Sequence, residues 1–176
     1  MVNGRTKLAI FNLLSSILVL AFTGCAGYHL GPVNGEVAGE KSVEVLPFNN
    51  QTLEPRLGDA VTQALRQQLQ TDATYHLATH PPGDVIVTGV ITRYNRQGVS
   101  FLNKDVATVE NYRVDATAHV TVRERSTGKV LLDKNVKGFT LVHVGADLAI
   151  AERQSLPLLA DDLARNVVEL LTEGSW

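Results

Sequence analysis

The clearest regularity in the chain lies in Val109 to Glu124, where apolar and polar residues alternate from Asn111 to Arg123. Tyr112, Val114, Ala116, Ala118, Val120 and Val122 share one parity, and Arg113, Asp115, Thr117, His119, Thr121 and Arg123 share the other. A period of two is that of a strand with one face in a core and the other open. Ser126-Thr127-Gly128-Lys129 reads as a hairpin turn, which makes Val130 to Leu141 the antiparallel mate. Upstream, Ser42 to Phe48 alternates Val43 and Val45 with Ser42 and Glu44, and Pro47 ends its ladder. Asp84 to Tyr94 has β-branched residues at both parities, so burial on both faces is expected for part of it. Tyr75 to Ala78 is expected as a short strand, and Asn95 to Thr108 as a loop.

Two stretches change to a helical period. Leu57, Val61, Ala64, Leu65 and Leu69 recur at spacings of three and four, with Thr52 expected as the cap and Pro55 in the first turn. From Asp147 to Thr172 a second stripe includes Leu148, Leu156, Leu159, Leu163 and Val167. Pro157 interrupts it, so a break is expected near Ser155, with Gly174 as the stop. A strand followed by a helix implies a crossover to another strand. The elements together predict an α+β fold, a two-layer sandwich with two helices on one face of a mainly antiparallel sheet of about four strands.

The N-terminus has another character. Basic Arg5 and Lys7 precede an apolar run from Leu8 to Phe22 and the small residues Thr23 and Gly24, the three parts of a secretory signal. The run is short of the roughly 20 apolar residues that a membrane span needs. Phe22-Thr23-Gly24-Cys25 resembles a bacterial lipobox, which implies cleavage before Cys25 and acylation of its thiol. Ala26 follows, and in that pattern a residue other than aspartate favours the outer membrane. Residues 1–24 are therefore expected as signal peptide, 25–41 as lipidated cysteine and glycine-rich tether, and 42–176 as one domain. Cys25 is the only cysteine, so no disulfide forms within one chain.

Charge sharpens the picture by region. Arg5 and Lys7 leave with the signal, so 14 basic and 18 acidic residues remain, a net −4. Between Arg93 and Lys137 nine basic residues stand against five acidic ones, a local +4. A basic centre on an acidic protein argues against general nucleic-acid binding and fits a local anionic ligand. Arg113, His119 and Arg123 on the open strand face, with Arg96 and Lys104 nearby, are the candidates for such a surface.

Catalytic chemistry is not legible. His76 and His80 are four apart but flank Pro81 in a turn, with no acidic residue of a zinc-protease motif between them. No nucleophile elbow and no phosphate-binding glycine loop occurs. A non-enzymatic binding module with no cofactor and no metal is expected.

Cys25-Ala26-Gly27-Tyr28-His29-Leu30 resembles the Cys-Gly-Tyr-His-Leu opening of the LPS-assembly lipoprotein family LptE, with Ala26 inserted. The order of strands and helices and the stretch Val99-Ser100-Phe101-Leu102 continue the likeness. The resemblance implies a lipid-anchored outer-membrane protein facing the periplasm. It would plug the LptD barrel, assist its assembly and contact lipopolysaccharide. It also implies a basic contact residue in the loop between the central strands, for which Lys104 is nearest, with Arg96 and Arg113 as companions. Val45-Leu46-Pro47-Phe48 with the helix after it resembles, as the alternative, the TolB N-terminal, LpoB and CsgG group of wall-synthesis regulators and secretion components.

Overall fold

The computed structural model describes residues 41–72, 74–78, 80–102, 105–143 and 147–173, with the backbone alone at 101, 102 and 105–108. The expected signal, the expected tether up to residue 40, Cys25, Lys104 and Gly174 lie outside the described residues.

The chain enters as β1 (Ser42–Val45), passes Leu46-Pro47-Phe48, and continues as β2 (Asn49–Asn50). Helix α1 (Leu57–Asp72) and β3 (His76–Leu77) follow. Three long strands come next: β4 (Val85–Leu102), β5 (Asp105–Glu124) and β6 (Val130–His143). Helix α2 (Leu148–Glu173) closes the described chain. The sheet order is β3-β1-β4-β5-β6, with β2 paired to β4 beyond the end of β1.

This sheet is mixed and six-stranded, where a mainly antiparallel one of about four was expected. The crossover through α1 returns the chain in its original direction, so β1 lies parallel to both β3 and β4. Strand β3 falls inside the short strand expected from Tyr75 to Ala78, whereas β2 has two residues, too few for a periodic signal. The expectation of a two-layer α+β sandwich stands, because α1 and α2 pack on each other and α2 covers β5 and β6 from one side.

Residues 95–102 and 105–108, expected in a loop, belong to the long antiparallel hairpin of β4 and β5. Its register shifts between Ile91 and Arg93 and again from Gly98 to Leu102. Each shift reverses which parity faces the core, which erases the alternation that would reveal a strand. Strand β4 is not buried on both faces. Val85, Val87, Gly89 and Ile91 are buried towards the helices, while Ile86 and Val90 are half-buried on the open side.

The helix ends also differ from expectation. Thr52 caps a turn and not α1: its N–H and hydroxyl donate to Asn50 Oδ1 at 3.0 and 2.7 Å. Arg56, with φ of 68°, precedes the helix, and its carbonyl accepts the bond from the Ala60 N–H at 2.9 Å. Helix α2 continues through Pro157 without a break. One backbone bond is lost there, but Ser155, Leu159, Ala160 and Leu163 are buried on both sides of it, and that burial holds the helix together.

The core lies between the sheet and the helices. Val43, Leu57, Leu65, Ala116, Val120 and Leu163 are fully buried in it. Phe48 crosses over β4 at Gly89, where a Cβ would stand 2.1 Å from the ring. Its N–H donates to Thr62 Oγ1 at 2.9 Å, so a bend that ends β1 is tied to α1. No buried side-chain polar atom among the described residues lacks a partner. No helix among them is long and apolar enough to cross a membrane.

Candidate functional site

Two surfaces bring together the residues singled out by charge. The first is the face of β4, β5 and β6 turned away from the helices. Opposed residues of an antiparallel pair share a face, so the register places Arg93, Thr117 and Lys137 in one row and Gln97, Arg113 and Leu141 in another. The side chains on this face include Arg93, Arg113, Arg123 and Lys137 against Asp115 and Asp133, four positive charges to two negative.

Arg113 of that face is held by two contacts. Its Nε donates to Asp115 Oδ1 at 2.8 Å, and its guanidinium carbon lies 4.0 Å from the centre of the Phe139 ring. Such stacking fixes the planar group without consuming all its donors. Phe139 and Leu141 are 46% and 62% exposed beside it, so the patch is both cationic and apolar. Along the same strands His119 Nε2 lies 2.7 Å from Asp133 Oδ1, and His143 Nδ1 lies 2.9 Å from Asn111 Oδ1. Asn111 in turn donates to Ser100 Oγ at 2.6 Å.

Arg96 lies on the other side. The register shift after Ile91 sets it opposite Val114, on the helix side, where it forms an ion pair with Glu152 of α2. A cleft of 650 Å³ opens there, lined by Thr52, Leu53, Glu54, Tyr94, Arg96 and Glu152. Burial pushes the Glu54 carboxyl above its ordinary range, and the neighbouring Glu152 charge adds to that shift. Tyr94 is pushed up to about 12, first by burial and then by Glu54 and Glu152. Arg96 is held above its usual value by its bond to Glu152. Arg96 and Arg113 are therefore on opposite faces of the sheet, and the fold does not bring them together.

The open face was legible from the alternation of β5. What that reading missed is the role of Phe139 and Leu141, whose signal was available: they share the parity of Asp133, Asn135 and Lys137 and so belong to the solvent side. Glu152 carried no local signal, because its partner is set by the register shift in β4. Among the described residues no group of three or more His, Cys, Asp or Glu is arranged to hold a metal ion.

Comparison with known proteins adds the identity that geometry alone does not supply. The fold is similar to that of the hypothetical protein CT253 from Chlamydia trachomatis, at 13% identity, covering 77% of this chain and 98% of that one with a TM-score of 0.57. It is also similar to protein XCC0632 from Xanthomonas campestris, at 9% identity, covering 82% and 91% with a TM-score of 0.55. At such identities the likeness is one of fold. No curated protein matches the sequence. A family model described as LptE, lipopolysaccharide-assembly, matches residues 40–172, which include all the described strands and nearly all of α2. The chain belongs to the lipopolysaccharide-assembly family LptE.

Proposed function

We propose that this protein is an outer-membrane lipoprotein, anchored through acylated Cys25, that partners the LptD barrel and assists the transport of lipopolysaccharide. The family match over residues 40–172 is the observation that carries this reading. The cationic and apolar face of β4–β6 supports it physically. A lipopolysaccharide presents phosphate and carboxylate groups next to acyl chains, and Arg113 beside Phe139 and Leu141 offers a fork for the anion and a surface for the chain. Lys104 is assigned to the same contact. Arg96 is already engaged by Glu152, so its contact with the ligand requires that pair to open.

The test is lipopolysaccharide binding by the full chain with Lys104→Glu and Arg113→Glu combined. Binding should fall at least tenfold while the unfolding midpoint is retained; unchanged binding removes the assignment. Barrel partnership is checked separately by mild-detergent isolation, which should return this lipoprotein together with a large β-barrel. Mass spectrometry of the mature N-terminus checks the anchor, with diacylglycerol on Cys25 as the expected result.

A further inference from the structure

Strand β6 is the last strand of the sheet, and its outer edge is covered at one place among the described residues. Backbone groups of alternate residues in an edge strand point away from the sheet. In β6 this parity is that of Lys137 and Phe139: the Phe139 N–H donates to Asp162 Oδ2 at 3.0 Å, and the Lys137 carbonyl accepts from Asn166 Nδ2 at 2.8 Å. Both partners come from α2, which closes on the strand at Gly138. The helix thus supplies what a neighbouring strand would supply, over these residues alone.

Beyond them the edge is open. The same parity turns the N–H groups of Leu141 and His143 and the carbonyls of Phe139 and Leu141 outward, and none has a hydrogen-bond partner among the described residues. Edge strands are ordinarily protected by charge, and β6 has Asp133, Lys134 and Lys137 over its first part. From Phe139 to Leu141 that protection gives way to exposed apolar side chains. An unpaired backbone row beside apolar side chains suits one kind of occupant, an extended strand.

We propose that the Phe139–His143 edge receives an extended segment of another protein, added as a further strand beside β6. Its side chains opposite Phe139 and Leu141 are apolar, and a carboxylate faces Lys137 and Arg113. A second copy of this chain fits poorly. Pairing about Leu141 would set Phe139 against His143 and Leu141 against itself, with no negative charge in this stretch of either copy to answer the cations of the other. It would also bring two cationic faces together, whereas an acidic segment meets them with opposite charge.

The experiment uses the full isotope-labelled chain in detergent and a capped peptide of alternating valine and threonine ending in two glutamates. Addition should shift the Leu141 and His143 amide signals saturably and slow their hydrogen exchange. Leu141→Pro removes one outward donor and none of the β5–β6 bonds, so it should weaken the peptide about tenfold. The same peptide N-methylated at alternate residues should not bind, a control that leaves the protein unchanged. Equal binding of the N-methylated peptide, no binding at all, or shifts confined to the helices would overturn the proposal. So would protected Leu141 and His143 amides before peptide is added, which would mean that the chain covers its own edge, or self-association abolished by Leu141→Pro, which would mean a second copy does.

Discussion

Gly138 lies against Leu163 so closely that a Cβ at position 138 would stand 2.7 Å from the Leu163 backbone nitrogen and 2.8 Å from its Cα. The contact lets α2 reach the edge of β6 and place Asp162 and Asn166 on the backbone of Phe139 and Lys137. Gly138→Ala must push helix and strand apart, because the obstructing atoms are backbone. The expected cost is about 1–3 kcal/mol, as for other overpacked sites. Urea unfolding measures it, and faster exchange of the Phe139 N–H should accompany it. An unchanged midpoint would mean that the helix is not seated there.

Phe48 and Gly89 make a second close pair. Gly89→Ala drives a methyl into the ring, and Phe48→Ala leaves a cavity costing about 3–5 kcal/mol. The combination Gly89→Ala with Phe48→Leu should cost less than the two single losses added together, since the smaller side chain makes room for the methyl. Additive losses in a double-mutant cycle would show that the ring does not depend on the missing Cβ.

Pro157 is exposed and sits inside a continuous helix. Pro157→Ala restores a donor for the Arg153 carbonyl and removes the clash of the ring with the preceding turn. A gain of about 1–3 kcal/mol is expected, up to the usual difference between the two residues in a helix interior. A loss of stability on thermal unfolding would mean that the proline supports a bend on which the packing depends.

Two carboxylates respond to pH in opposite senses. Asp84 Oδ2 accepts from the Ser42 hydroxyl at 2.6 Å and the Ser42 N–H at 2.9 Å, and these bonds, aided by Lys41, hold its pKa below 3.8. Its stabilising effect is present above 3.8 and is lost as pH falls through the lowered folded value. Ser42→Ala should move the Asp84 titration upward when followed by NMR. Glu54 is raised above 4.5, so its contribution is present below that value and is lost as pH rises through the folded pKa. Glu54→Gln should therefore stabilise the fold at pH 7 and have little effect at pH 4; the reverse order would mean that the Arg96 charge outweighs burial and Glu152 at this carboxyl.

The residues show where local reading ends. The alternation of Val114 to Val122, the turn at Gly128 and the stripes of α1 and α2 are local patterns, and each was legible because a side chain's face follows from its own position in a strand or helix. So was the basic centre of the chain. The parallel pairing of β1 with β4, the face on which Arg96 lies and the continuity of α2 through Pro157 were settled only in the tertiary structure. Each depends on energy shared between distant segments. A register shift of one residue in β4 turns Arg96 towards Glu152, and burial of residues far apart in the chain outweighs the bond missing at Pro157. Local patterns were enough for the layers and the charged face; packing chose which cation meets solvent and which meets a helix.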